Sequence, residues 1–227
     1  MTNQTDRRAI IRKPLAPKTT APEPYGRKSP PGHGNYPREL EDLRQAILGC
    51  TRCPALVRSR SCVVPGHGAV AAIVAFVGIA PGRLGGDRTG VPFSGDRSGD
   101  LLRRMIRENG LRRVFITNLI RCSPRDDGGR NRDPHADEIA NCRENLQAEL
   151  ALVRPRIVAC LGRIAWRELA GRKVPFEPSE PHPLLIDGRL LYPMFHPGYA
   201  IRGAYPESSY RHDFARLAAL AKRPPEQ

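Results

Sequence analysis

Val77-Gly-Ile-Ala-Pro-Gly82 ends an apolar run that begins at Ile73, and a glycine-rich segment then continues to Asp100. The apolar run predicts a buried strand, and the apolar periodicity that resumes at Leu101 predicts a helix. Glycine allows unusual dihedral angles and lets the backbone approach a ligand closely. Because α/β sheets place their sites where a strand passes through a loop into a helix, this stretch predicts a binding loop.

Three further apolar runs alternate with amphipathic segments along the chain. The runs, at residues 114–120, 157–161 and 190–195, predict strands like the first. Helical spacing of apolar residues lies between or around them, at residues 40–47, 101–106, 139–153, 164–169 and 207–222. Strands that alternate with helices predict an α/β fold. We therefore expect a three-layer α/β/α sandwich with a mostly parallel, four-stranded central sheet.

Composition divides the chain into a tail and one domain. Residues 1–36 are rich in Pro, Lys, Arg, Thr and Gly and predict a disordered basic tail, so residues 37–227 are expected to form the folded domain. The formal net charge of +14 indicates a polyanionic partner, with nucleic acid first and an anionic membrane surface second. No apolar run approaches the ~20 residues of a membrane span, and the N-terminus has no secretory signal.

Four of the six cysteines form a candidate metal site. Cys50-Thr-Arg-Cys53 has two cysteines in one tight turn, a spacing that metal sites share with redox pairs. Cys122 and Cys142 could complete a set of four thiolates, which holds either zinc or an iron–sulfur cluster. The spacing alone leaves both metals open. The other two cysteines, Cys62 and Cys160, are interpreted as non-ligands.

Several motifs occur in an order that is found in one known family. They are Cys50-Thr-Arg-Cys53-Pro54, residues 78–82 with 92–96, residues 116–122, Cys142-Arg143, residues 159–162 and His196-Pro197-Gly198. The chain resembles the iron–sulfur uracil-DNA glycosylases of types 4 and 5 over residues 40–221. Type 4 has Glu where this chain has Ile79, so the first motif is closest to type 5. Thr117-Asn118 and the segment after His196 look more like type 4.

The resemblance implies a DNA repair enzyme that flips uracil, or another deaminated base, out of DNA and hydrolyses its N-glycosidic bond, leaving an abasic site. It implies that Cys50, Cys53, Cys122 and Cys142 bind a structural 4Fe-4S cluster, with zinc the less favoured metal. The partner is then DNA that contains the damaged base, and we expect a monomer in the cytoplasm, associated with the nucleoid. No lysine occurs in the pocket motifs, so a monofunctional enzyme is expected.

The resemblance also assigns roles to the pocket residues. Phe93 would stack on the flipped base, and the amide of Asn118 would pair with the polar edge of uracil. His196 would donate a hydrogen bond to the negative charge that develops on the base. Asp96, with Asp87 in reserve, would stabilise the cationic sugar or position the attacking water. Backbone N–H groups near Ala80 and Gly82 would complete the pocket.

Two other hypotheses fit the same residues. Because Ile79 stands where one branch of the family has an acid, the chain could sense lesions in DNA without hydrolysing them. Alternatively, it could be a zinc-stapled nucleic-acid binding module whose pocket is incidental.

Overall fold

The computed structural model of the chain describes residues 37–224. The predicted basic tail, residues 1–36, lies outside the described residues, so its disorder stays a prediction. The first helix begins at Arg38, next to the predicted start of the folded domain at residue 37.

A mixed sheet of six strands forms the centre of the described part of the chain. The strands are β1 (His67–Gly68), β2 (Val74–Gly78), β3 (Val114–Asn118), β4 (Ile157–Leu161), β5 (Leu184–Ile186) and β6 (Arg189–Met194). They lie in the order β1-β3-β2-β4-β6-β5. The middle four strands are parallel and correspond to the four predicted runs, whereas β1 and β5 are antiparallel edges. The sheet therefore has six strands and not the predicted four, and the two additional strands are the edges β1 and β5.

Edge strand β5 was not predicted, because it is short and partly exposed to solvent. β5 has three residues, and the side chain of Leu185 in its middle is 72% exposed. Asp187 and Gly188, both at positive φ, turn β5 into β6. An Asp-Gly pair of this kind is the common two-residue hairpin turn, so the sequence did contain a signal for β5.

Eight helices lie within residues 37–224. They are α1 (Arg38–Leu48), α2 (Pro54–Ser59), α3 (Gly86–Thr89), α4 (Arg97–Glu108), α5 (Ala136–Val153), α6 (Arg163–Ala170), α7 (Pro197–Ile201) and α8 (Glu207–Lys222). The five longer ones with a core-facing stripe were predicted. The short α2, α3 and α7 were not, because a single turn or two leaves no apolar periodicity to detect.

The helices form two layers around the sheet, which confirms the predicted three-layer α/β/α sandwich. Ala75 and Val77 of β2 face a core that includes side chains from α1, α2, α5 and α6. Val74 and Phe76 alternate to the opposite face and join a core with α4 and α8. All five residues of β2 and of β4 are buried, as expected for central parallel strands.

Candidate active site and cysteine-lined cavity

The candidate site lies where β2 and β3 end side by side. Gly78 closes β2 and pairs in register with Asn118, the last residue of β3. A Cβ atom on Gly78 would lie 2.5 Å from Oδ1 of Asn118 and 2.6 Å from Cζ of Phe93. Only glycine therefore lets these two side chains meet over the end of β2. The structure brings the predicted base-stacking ring and the predicted base-pairing amide together at this point.

The amide of Asn118 is buried and unused. The residue is 1% exposed, and neither Oδ1 nor Nδ2 has a hydrogen-bond partner within residues 37–224. Leaving a buried polar group unsatisfied costs about 1–3 kcal/mol. Such a group in a native fold requires an explanation, and a ligand with matching polar atoms is one.

A buried network that no motif predicted fixes the backbone of Asn118. Arg121, 1% exposed, donates from Nη1 to the Asn118 carbonyl and from Nη2 to Glu149 Oε2 at 2.8 Å. Glu149 also accepts from Thr117 Oγ1 at 2.7 Å and from the Gly66 N–H at 2.8 Å. The signal was Glu149 on the apolar face of α5, a position where an unpaired carboxylate would be too costly.

Phe93 occupies a strained backbone conformation beside the histidine. Its φ of +50° is rare for a residue with a Cβ atom, and such strain gathers at functional sites. Arg103 holds the segment by donating from Nε to the Phe93 carbonyl at 2.8 Å and from Nη2 to the Pro92 carbonyl at 2.9 Å. The Phe93 ring lies 5.6 Å from the ring of His196, at an interplanar angle of 40°.

His196 is held as a neutral hydrogen-bond donor. It caps α7, and its Nδ1 accepts the Gly198 N–H at 3.0 Å, which places the ring proton on Nε2. Burial, and then the charge of Arg202, lowers the pKa of His196 to about 4. At neutral pH the ring therefore offers an uncharged Nε2–H group.

Asp96 combines a capping role with a free oxygen. Its Oδ1 accepts the Gly99 N–H at 2.8 Å and so caps α4. Its Oδ2 faces the glycine-rich loop, since a Cβ atom on Gly82 would lie 3.1 Å from it and one on Gly85 only 2.2 Å. One carboxylate oxygen thus orients the side chain while the other faces the loop.

The carboxylate of Asp87, the reserve candidate, is directed to other partners. It is fully buried, accepts the Ser61 N–H at 3.0 Å and forms an ion pair with Arg125. Its carboxylate is engaged by these partners and joins α3 to the neighbouring loops, so Asp96 remains the first candidate for a role towards the sugar or the water.

The backbone from Ile79 to Gly82 forms the wall between β2 and the loop. The Ile79 carbonyl accepts the Ile120 N–H at 3.2 Å, which extends the pairing of β2 with β3. Ala80 packs on the core, and the Gly82 carbonyl accepts the N–H groups of Gly85 and Asp87, each at 3.1 Å. The wall therefore continues directly into the turn that begins α3.

The four predicted cysteine ligands line one cavity. Cys50 and Cys53 come from the turn between α1 and α2, Cys122 follows β3, and Cys142 lies on α5. Cys62 and Cys160 lie elsewhere: Cys62 Sγ donates to the Asp87 carbonyl at 3.1 Å, and Cys160 is buried in β4. Among the residues that the structure describes, no three His, Cys, Asp or Glu side chains are grouped closely enough to hold a single metal ion.

Side-chain N–H groups around this cavity donate to the cysteine sulfurs. Arg60 Nη1 lies 3.1 Å from Cys122 Sγ, and Asn141 Nδ2 lies 3.5 Å from Cys53 Sγ. Burial would raise the pKa of the Cys50 thiol, but hydrogen bonds and the charge of Arg52 lower it. Burial raises the pKa of the Cys53 and Cys122 thiols in spite of their donors Asn141 and Arg60.

Comparison with known proteins identifies the family. The family model of the uracil DNA glycosylase superfamily matches residues 65–217. This chain belongs to the uracil-DNA glycosylase superfamily. It is 36% identical to the type-4 uracil-DNA glycosylase of Thermotoga maritima over 74% of this chain and 86% of the relative. It is 32% identical to the type-5 uracil-DNA glycosylase of Thermus thermophilus over 70% and 86%.

The relatives of this glycosylase-family chain fall in both branches, as its motifs do. The type-4 uracil-DNA glycosylase of Sulfurisphaera tokodaii is a further example, 31% identical over 82% of this chain and 86% of the relative. The family resemblance deduced from the motifs is thereby confirmed. The chain is about equally identical to relatives of the two branches. The type 5 character of its first motif therefore describes that motif and does not assign the whole chain to type 5.

Proposed function

We propose that this chain is a monofunctional uracil-DNA glycosylase that hydrolyses the N-glycosidic bond of deoxyuridine in DNA and leaves an abasic site. The observation that carries the proposal is the buried, unused amide of Asn118, which lies beside the Phe93 ring in a chain of this superfamily. The proposed substrates also include other deaminated bases in DNA.

The amide of Asn118 matches the polar edge of uracil. Uracil presents an acceptor at O4 and a donor at N3, and an amide presents one donor and one acceptor. Pairing the two would satisfy Nδ2 and Oδ1 of Asn118, which lack hydrogen-bond partners among residues 37–224. Phe93 would stack on the base, a contact worth about 1–3 kcal/mol. Together these contacts would offset part of the few kcal/mol needed to flip the nucleotide.

His196 and Asp96 would act on the two charges that form as the bond breaks. The electron pair of the C1′–N1 bond passes to the base, and Nε2–H of His196 would donate to the oxygen that gains the negative charge. The sugar becomes oxocarbenium-like, and Oδ2 of Asp96 would stabilise it while water adds to C1′. The proton lost by water passes to Asp96 or to solvent.

Helix α7 provides a surface for the DNA around the flipped base. Tyr199 is 41% exposed, and the guanidinium of Arg202 lies 5.4 Å from the centre of its ring. An aromatic wedge with a cationic neighbour would fill the space that the base leaves and contact a phosphate. The net charge of +14 further supports binding that weakens steeply with salt.

We propose that Cys50, Cys53, Cys122 and Cys142 hold a structural 4Fe-4S cluster, since all four line one cavity whose N–H groups donate to their sulfurs. A cluster of this type can transfer electrons, but hydrolysis of a glycosidic bond involves no redox step. The cysteines would instead tie α2 and α5 to the segment that follows β3.

Localisation follows from the proposed substrate. No helix within residues 37–224 is long and apolar enough to cross a membrane. We propose that the chain acts as a monomer on DNA in the nucleoid of the cytoplasm.

The function is tested with a labelled oligonucleotide that contains one deoxyuridine. We expect free uracil and an alkali-labile site without added metal or cofactor, and no adduct trapped by borohydride. Parallel substrates with hypoxanthine, xanthine or thymine opposite guanine define the range of bases. Tight binding of uracil DNA without turnover would instead support the lesion-sensing hypothesis.

The neutral state of His196 predicts a flat pH profile. With its folded pKa lowered to about 4, His196 does not change charge between pH 5 and 8, so the single-turnover rate should show no inflection near pH 6.5. The folding stability should decrease as the pH falls from about 6.5 to about 4. In this range the unfolded chain gains a proton at His196, whereas the folded chain does not until about pH 4. A rate that titrates near pH 6.5 would contradict this assignment.

Loss of one cysteine ligand should remove the cluster. Cys142→Ser is expected to abolish the visible absorption of the purified protein and to reduce its iron content from about four atoms per chain towards none. Cys62→Ser is the matched control and should keep both, since Cys62 lies outside the cavity. One zinc per chain in colourless wild-type protein would support the zinc hypothesis instead.

A further inference from the structure

The backbone of Phe93 lies directly on helix α4. A Cβ atom on Gly99, in the first turn of α4, would lie 2.4 Å from the carbonyl carbon and oxygen of Phe93 and 2.8 Å from the Ser94 nitrogen. Because a real Cβ atom does not come this close to backbone, only glycine lets the two segments approach each other here. Arg103 follows four residues later, on the same face of the helix. Two successive turns of α4 therefore contact the segment that carries Phe93.

Arg103 holds the two carbonyl groups on either side of the Phe93 α-carbon. Its Nε donates to the Phe93 carbonyl at 2.8 Å, and its Nη2 donates to the Pro92 carbonyl at 2.9 Å. Each carbonyl belongs to a planar peptide group, and the φ and ψ angles of Phe93 are the rotations between those two planes. The guanidinium group is itself planar and rigid. A contact to both carbonyls therefore restrains both dihedral angles of Phe93.

This restraint is needed because Phe93 has a φ of +50°, which is unfavourable for a residue with a Cβ atom. In this conformation its ring lies 5.6 Å from the ring of His196, and its Cζ would lie 2.6 Å from a Cβ atom on Gly78. A relaxed, negative φ would turn the ring away from both neighbours. Since ionised donors form stronger hydrogen bonds than neutral ones, Arg103 is suited to offset the strain. None of the family motifs contains Arg103.

We propose that Arg103 is a positioning residue, which sets the Phe93 ring in the orientation that stacks on the flipped base. The inference rests on the proposed glycosylase function and deepens it. The stacking surface is formed before DNA binds, so little ordering is needed when the base enters the pocket. Arg103 acts through the backbone of residues 92–93 and makes no contact with the base itself.

Arg103→Met should weaken stacking without weakening the general attraction to DNA. At saturating protein, the single-turnover rate of uracil release should fall about 10-fold, which is part of the value of a base–aromatic stack. The affinity for a duplex with 2′-fluoro-deoxyuridine, whose glycosidic bond resists hydrolysis, should fall by a similar factor. Arg107→Met is the matched control, because Arg107 is exposed on the same helix and its loss removes the same charge. The two variants should bind an undamaged duplex equally, and the control should keep the wild-type rate.

A double-mutant cycle with Phe93→Ala separates positioning of the ring from a general effect on the fold. If Arg103 acts through the ring, Arg103→Met should slow the Phe93→Ala protein by less than about 2-fold, because the losses of coupled residues do not add. Arg103→Lys keeps the charge but has no planar fork, so it should recover only part of the rate. It replaces Arg103→Met in the cycle if that variant does not fold. Additive losses in the cycle, or a wild-type rate in both Arg103 variants, would overturn this inference alone, whereas an inactive wild-type protein would overturn the proposed function with it.

Discussion

Asn118→Leu should lower kcat/KM for uracil excision by about 10³-fold and leave the unfolding temperature unchanged or raised. Leucine has a similar volume, but it cannot pair with the base, whose polar atoms would then be buried without partners. In the free protein the same change removes an amide that is 1% exposed and has no partner within residues 37–224. The variant should therefore lose activity without losing stability.

Asn109→Leu provides the control for this experiment. Asn109 ends α4, and its Nδ2 donates to the Met105 carbonyl at 2.9 Å. Its replacement should cost a little stability and no activity. If Asn118→Leu instead unfolded the protein while sparing excision in the folded fraction, the amide would be structural and the base-pairing assignment wrong.

Glu149→Ala should destabilise the fold by about 3–5 kcal/mol, because it leaves the Arg121 guanidinium buried without its counter-ion. The side chains of this ion pair are 1% and 2% exposed, so water cannot replace the lost partner. Thr117 Oγ1 and the Gly66 N–H lose their acceptor in the same variant. Urea unfolding monitored by circular dichroism measures the change in the free energy of unfolding.

Two variants test whether the missing charge is the cause. Arg121→Met combined with Glu149→Leu removes both ions and should recover much of the loss, since apolar pairs often replace buried ion pairs without cost. Glu108→Ala breaks an exposed pair with Arg211 and should cost less than about 1 kcal/mol. A loss from Glu149→Ala as small as that from Glu108→Ala would show that the network does not support β3.

The elements that the sequence predicted well are those with a local apolar signal. Each of the four parallel strands coincides with a run of apolar residues, and each long helix coincides with apolar residues at helical spacing. β5 and the short helices leave no such trace. For α2, the signal was a proline at the first helical position, Pro54, which directly follows Cys53.

The parts of the site that the sequence predicted are those that motifs carry. Phe93, Asn118 and His196 belong to motifs, and the structure places the first beside each of the other two. Asp87 and Asp96 lie in the same glycine-rich segment, and only the fold shows that one is buried in an ion pair and the other faces Gly82. The Arg121–Glu149 pair joins positions 28 apart, which no local pattern reveals.

The central claim is that water replaces uracil at C1′ of the DNA, and product analysis in ¹⁸O-labelled water tests it most directly. Wild-type protein and deoxyuridine DNA should yield free uracil and an abasic sugar that carries the label at C1′, with no covalent protein–DNA adduct. The C1′ hydroxyl of an abasic sugar exchanges with water, so the product must be trapped by reduction at the earliest times. Intact deoxyuridine DNA in a stable complex with the protein would contradict the claim.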